Sequence, residues 1–330
     1  MLMFNALLLL CFVNACSADG EQLSEAQPIT VYFGVIDDTQ TKGTTSDNIY
    51  GINVYYDAAR DGVSTTHYAY GIFDNTEDMV ITLLSGYKYK FECTLVKNGK
   101  LSLYCGQYGG NVFSGYAKPF QTTVSPSSQI LNSFAYGTTY LSGLQSGEAT
   151  VKTDSQPGYY DSKMPSVLRY YGEVSGYVPE QGGKVEIKLI KTVFGARFIV
   201  NSVPEGKLKA SCIMSSNTLL DKTVTSSVYD SGTIVYSYPD VYECWLNEPT
   251  LSADVTWQFE SSVFDQWNQS DTKSISFKRN KLTTVTVSCT PDNAAGAVSF
   301  SEEPLNESQF INLYINSDGL IDIIVNPDSE

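Results

Sequence analysis

The chain has 330 residues, with 36 Asp and Glu against 21 Lys and Arg and a formal net charge of −15. A surface this acidic repels phosphate backbones, so the composition argues against a nucleic-acid partner. Hydrophobic residues make up 42% and mean hydropathy is −0.14, which suits packed cores and excludes a disordered chain. The 23 Tyr and 15 Phe favour strands, and 25 Gly and 12 Pro supply turns. The length allows two domains.

Residues 7–13 are an uninterrupted apolar run. The run is shorter than the roughly 20 residues of a membrane-spanning helix and has the length of a signal-peptide core. It ends in Val13-Asn14-Ala15-Cys16, which resembles a bacterial lipobox. The resemblance implies a signal peptide over residues 1–15, lipidation of Cys16, and an outer-membrane location at the cell surface through a lipid anchor. Residues 16–28 then read as a lipidated N-terminus and polar tether. Asp19 and Glu21 within it resemble the surface-export signal of Bacteroidetes lipoproteins.

A first β-domain is expected over residues 29–156. Ile29, Val31, Phe33 and Val35 alternate with Thr30, Tyr32 and Gly34, the period-2 signature of a half-buried strand. A polar loop follows, then alternating residues 50–56 and a short apolar strand at 79–84. Tyr87, Tyr89, Phe91, Cys93 and Leu95 share one face, opposite Lys88, Lys90, Glu92 and Thr94. With a turn at Lys97-Asn98-Gly99, this strand is expected to return through Leu101, Leu103 and Cys105 as a hairpin. Cys93 and Cys105 then sit diagonally, farther apart than a disulfide usually spans.

Residues 157–183, rich in Tyr, Gly, Pro and Ser, read as a connecting segment. A second domain over 184–330 opens with KVEIKLIKTVFGARFIV. Val185, Ile187 and Leu189 share one face, and Phe194, Ala196, Phe198 and Val200 share the next, with a phase slip near Lys191. A bulge, or a strand passing between sheet edges, explains such a slip. Strands are expected at 207–214, 233–238, 253–260, 273–278 and 282–289, the last two joined by a turn at Arg279-Asn280-Lys281. A terminal hairpin closes around Ser317-Asp318-Gly319. Short strands spaced by turns predict an all-β fold of two tandem sandwiches.

The residues offer little chemistry. His67 is the one histidine, so a Ser-His-Asp site would have to use it, and the nucleophile elbow Gly-x-Ser-x-Gly is missing. The five Cys beyond Cys11 and Cys16 fit no zinc spacing. Residues 106–115 lack the Lys-Ser/Thr of a phosphate loop. We therefore expect no catalytic residues, no metal and no cofactor. Tyr159, Tyr160, Tyr170, Tyr171 and Tyr177, with Trp245, Trp257 and Trp267, remain. They read either as a sugar-stacking face or as core and interface packing.

Tyr170-Tyr171-Gly172-Glu173, residues 185–189 (VEIKL), residues 193–198 (VFGARF) and residues 277–285 (FKRNKLTTV) resemble the second domain of fimbrillin-like surface lipoproteins of Bacteroidales. The resemblance covers the second half of the chain. It implies two transthyretin-like β-sandwiches and a stalk, tip or anchor role in a type V pilus, or a related adhesin. The implied partners are other pilin-type subunits joined by strand addition, with host or glycan ligands. Residues 29–35 are the expected exchangeable strand, carried by Ile29, Val31, Phe33 and Val35. Lys42 is the only basic residue before Arg60 and so the candidate protease site. An Arg-specific cut, as in polymerising relatives, has no target there, which shifts weight toward an uncleaved anchor or tip. The competing expectation is a glycan-binding lipoprotein of a polysaccharide-uptake system.

Overall fold

The computed structural model describes residues 27–37, 47–57, 65–107, 114–124, 128–153, 158–201, 206–213, 217–225, 228–261, 266–290, 293–305, 313–315 and 321–323. Cys16, Lys42 and the expected leader lie outside them.

The fold is all-β, with two short α-helical segments and one 3-10 turn. The N-terminal part contains β1 (Pro28–Asp37), β2 (Ile49–Asp57), β3 (Thr65–Phe73), β4 (Val80–Leu84) and β5 (Tyr89–Val96). After α1 (Gly99–Ser102) come β6 (Cys105–Gln107), β7 (Ser114–Tyr116), β8 (Phe134–Tyr136), β9 (Ala149–Lys152), β10 (Tyr159–Ser162), β11 (Arg169–Tyr177) and β12 (Lys184–Lys191). Eight of these form one hydrogen-bonded path, β4-β1-β12-β11-β5-β2-β3-β8.

The path doubles over at β12. Residues 184–189 of β12 pair in parallel with β1, whereas Ile190 and Lys191 pair with β11. One core lies between the layers so formed. It joins Val31, Ile81, Leu83, Val185, Ile187 and Leu189 to Ile52, Val54, Phe91, Cys93, Leu95 and Tyr170. The other face of β5 is covered as well: Val96 packs with Leu103, Phe120, Leu141, Leu144 and Val167 from the excursion between β5 and β11.

The structure corrects two expectations here. Residues 87–105 do not form a hairpin. Asn98 takes a left-handed backbone (φ 51°) and caps α1, and its carbonyl accepts from the amides of Leu101 and Ser102. The chain leaves the ladder, Leu103 bridges Val151 and Cys105 pairs with Tyr116. Residues 157–183 are not merely a connection, because β11 runs between β5 and β12 with Tyr170 and Tyr171 fully buried. Among the described residues Cys93, Cys105, Cys212 and Cys244 form no disulfide.

The C-terminal part contains β13 (Val193–Asn201), β14 (Gly206–Cys212), β15 (Thr218–Val224), β16 (Val228–Asp230), β17 (Ile234–Ser237), α2 (Val241–Asn247), β18 (Leu251–Ser261), β19 (Gln266–Phe277), β20 (Lys281–Thr290), β21 (Asn293–Pro304), β22 (Leu313–Ile315) and β23 (Ile321–Ile323). One sheet runs β16-β13-β20-β21 with β17 also on β13, and the other runs β15-β14-β18-β19. They enclose a core of Phe194, Phe198, Leu208, Val255, Phe277 and Val285 around the fully buried Trp257. A Cβ at Gly206 would run into the Trp257 indole, so glycine is required there.

The phase slip near Lys191 is real and marks a passage between cores. Val185 to Leu189 serve the first core, and Phe194 to Val200 serve the second. The residues expected to open the second half therefore divide at Thr192. The turn at Arg279-Asn280-Lys281 also differs from expectation. β19 pairs with β18 and β20 pairs with β13, so this turn changes sheets and closes no hairpin. Asn280 makes it with φ 56°, and its backbone N–H donates to Val193 O at 2.8 Å. β22 and β23 do pair as a terminal hairpin.

Candidate functional site: the slot of the first strand

Strand β1 fills a slot with two walls. On one side it runs antiparallel to β4, with Val31 opposite Ile81; on the other it runs parallel to β12, with Val35 opposite Ile187. Parallel pairing needs a distant stretch of chain, and here the partners are about 150 positions apart. Both edges of β1 are bonded. Phe33 N donates to Met79 O at 3.1 Å, and Tyr32 N donates to Gly183 O at 3.1 Å.

The alternation expected for this strand sets what enters the core. Val31 and Phe33 are buried, with Ile29 and Val35 packed beside them. The Phe33 ring meets Phe91 edge-on at 5.2 Å and Phe134 at 5.4 Å. Burying such side chains contributes about 1.5–3 kcal/mol each. Tyr32 points outward, half exposed. Gly34 leaves room for the Lys184 side chain, which pairs with Glu186 at 2.8 Å.

A second cluster lies on the far face of the sheet, under α2. Glu92 is almost fully buried. It accepts from the Tyr55 hydroxyl (3.0 Å) and the Gln145 amide (2.8 Å), and pairs with Lys90 at 3.1 Å. Lys90 also reaches Glu173 at 2.8 Å. Burial works against the Lys90 charge, but Glu173 and Glu92 outweigh it and hold the ammonium above its ordinary range. Burial and then Glu92 push the Tyr55 hydroxyl up. Tyr171 meets Tyr242 and Trp245 of α2 edge-on at 6.1 and 5.8 Å.

This cluster, with neighbouring backbone bonds, ties α2 and the residue Pro239 before it to the first sheet. Gln145 O accepts from Val241 N, and Pro239 O accepts from Gly147 N. It holds no nucleophile beside a free base. Helix α2 was missed in the sequence, although a signal was there: Asp240 caps it by accepting from Glu243 N at 2.7 Å, and Asp-x-x-Glu is a helix-start signature.

His67 sits on β3, not in a loop. Its Nδ1 lies 2.9 Å from Gly137 O, between the rings of Tyr55 and Tyr140. Burial lowers its pKa, outweighing the Gly137 bond and the Glu92 charge. Among the described residues no group of three or more His, Cys, Asp and Glu could hold a metal ion.

The aromatics that read either as a sugar-stacking face or as packing are spread over separate sites. Tyr170, Tyr171 and Trp257 are buried, and Trp245 packs on Tyr171. Tyr159 stacks against Tyr104 at 4.6 Å and is 58% exposed, while its neighbour Tyr160 is 50% exposed. Adjacent strand residues point to opposite faces, so these two make no continuous row. The side chain of Trp267 lies outside the described residues.

No protein-family model matches this chain, and no curated protein does. Several solved structures are similar to it. The fimbrial anchor protein Mfa2 from Porphyromonas gingivalis has 10% identity over 84% of this chain and 98% of its own, with a TM-score of 0.39. The tip fimbrial protein Mfa3 from the same organism has 7% identity over 84% and 100%, with a TM-score of 0.32. A fimbrial assembly protein from Parabacteroides distasonis has 10% identity over 91% and 99%, with a TM-score of 0.31. Fimbrial proteins of Bacteroidales are thus among the structures this chain resembles.

Proposed function

We propose that this chain is a structural subunit of a cell-surface fimbria, or a related adhesin-like surface protein, that joins its neighbours by strand addition. The observation that carries the reading is the placement of β1. It lies inside a sheet between two walls built by the rest of the chain, and a single cut within residues 38–46 would part it from them. Removing β1 leaves unpaired backbone on β4 and β12 and uncovers an apolar groove, the two elements of a strand-accepting site.

The same proposal includes lipid anchoring at Cys16 and no catalytic activity. Lys42 is the candidate cut. Stable anchoring would need more than one acyl chain, since a single chain binds only marginally. The test is a chain that starts at Gly43, mixed with a synthetic peptide of residues 29–35 or of residues 313–325. Binding of either peptide, with a rise in unfolding temperature, supports the reading. A body that is fully stable and binds neither overturns strand exchange.

A further inference from the structure

Among the described residues strand β4 has one strand neighbour, β1. Its other edge faces away from the ladder and ought to be an open template for pairing. The register shows which groups lie there. Phe33 N donates to Met79 O and Ser85 N donates to Gln27 O, so Met79, Ile81, Leu83 and Ser85 turn their backbone toward β1. Thr82 and Leu84 then turn N–H and C=O outward, as alternate residues of an antiparallel strand must.

The outward groups of Thr82 and Leu84 are taken by tyrosines from the opposite layer, while Val80, in the same phase, lies exposed at the start of the strand. Thr82 N donates to the Tyr136 hydroxyl at 3.0 Å, and the Tyr68 hydroxyl donates to Thr82 O at 2.9 Å. Leu84 N donates to the Tyr89 hydroxyl at 2.8 Å, which donates back to Leu84 O at 3.1 Å. The three rings come from β8, β3 and β5. Tyr68 packs edge-on against Tyr89 at 5.4 Å and Tyr136 at 5.5 Å. Burial keeps the Tyr68 and Tyr89 hydroxyls protonated well into alkaline pH.

We propose that Tyr68, Tyr89 and Tyr136 close the outer edge of β4 against a second strand and hold β4 in place as one wall of the slot when β1 is absent. The first role stands on geometry alone; the second rests on the strand-exchange reading above. Side-chain hydroxyls here do the work of a neighbouring strand, but they cannot continue a sheet. On β4, strand addition is thereby confined to the side that faces β12. The incoming strand must run antiparallel to β4 and parallel to β12, with apolar residues at alternate positions.

Amide hydrogen exchange on the full chain tests the closed edge. Tyr136→Phe should speed exchange at Thr82 tenfold or more, and Tyr89→Phe should do so at Leu84. Ile81 and Leu83, bonded to β1, should stay unchanged in both. Unchanged Thr82 and Leu84 amides in these variants would overturn the edge role. The wall role is read in a full chain carrying Val31→Asp, which expels its own β1, by titrating a labelled synthetic peptide of residues 28–37. Adding Tyr68→Phe and Tyr136→Phe should weaken peptide binding at least tenfold. Equal affinity overturns the wall role. If the Val31→Asp chain binds no peptide at all, strand exchange and the wall role fall together, while the amide exchange still decides the edge.

Discussion

The two halves of the molecule carry the same local arrangement with different consequences. In the first, the order is β11-β12-β1-β4; in the second, β17-β13-β20-β21. Each contains a parallel pair, β12 with β1 and β13 with β20, flanked by antiparallel neighbours. What differs is the covalent chain. β20 continues directly from β19 and into β21, so no single cut frees it. β1 meets the rest of its sheet through one stretch, residues 38–46. Under the strand-exchange proposal, what would set exchangeability is the connections at a strand's ends and not its ladder.

The sharpest way to break this comparison is to place a carboxylate in each parallel strand. Val31 and Val285 are both buried, and an unpaired charge in either core costs more than about 4 kcal/mol. Val285→Asp has no escape and should abolish the folded second half. Val31→Asp should expel β1 and leave a body that still unfolds cooperatively. Urea unfolding of each half, followed through exchange protection of the buried Phe91 and Val255 amides, separates them: the second-half transition disappears in the first variant and the first-half transition persists in the second. Loss of the transition in both would refute the idea that connectivity sets release.

A smaller effect concerns alkaline pH. Burial pushes the Tyr89 hydroxyl up to about 12 and raises Tyr55, Tyr68 and Tyr171 as well. A raised folded pKa means that stability is fully present below the unfolded tyrosine value of 10.0 and is lost as pH climbs above it. Fully buried Tyr89 contributes on the order of 1 kcal/mol per pH unit between 10 and 12. The urea midpoint should fall over that window, and Tyr89→Phe should flatten the slope. A midpoint independent of pH from 9 to 12 would count against buried, neutral tyrosines at the β4 edge.

The smallest effect is a control in the second half. Arg197 and Asp230 tie β13 to β16 through a bidentate pair, exposed to 40% and 37%. Arg197 holds the Asp230 carboxyl below its ordinary value, against burial, so its contribution is present above the usual aspartate range and lost as pH falls. Exposed pairs contribute little, and Asp230→Asn should shift stability by no more than about 0.5 kcal/mol. A larger shift in the urea midpoint would show that the β13 edge leans on this pair.

Much of this was legible in the residues, and the misses have physical causes. Alternation located β1, which buries one face, and β2, although β2 is buried on both faces; β14 and β20 also lie where strands were expected. The phase slip at Lys191 reported the passage between cores, since a strand that changes cores must change which face is apolar. Glu92 and Thr94 misled, for polar residues opposite an apolar row read as solvated. Here they are buried under the excursion that carries Leu141 and Leu144. The false hairpin at Lys97-Asn98-Gly99 arose because a left-handed Asn serves a tight turn and a helix start alike. The partners of β1 were not legible at all: parallel pairing leaves no mark in local sequence. The tyrosines that close β4 were visible only as composition, since Tyr68, Tyr89 and Tyr136 converge through three different strands.

The passage at Thr192 also has a mechanical meaning. Lys184 to Asn201 crosses from one core to the other with a single residue between its two strands, so the crossing holds almost no slack. Tension applied along this run would load the ladders of β12 and β13 lengthwise. Shear of that kind strains many backbone bonds together instead of opening them one at a time. Under such a pull the load would pass through continuous backbone, as in a tie rod, along the very strand that forms one wall of the β1 slot.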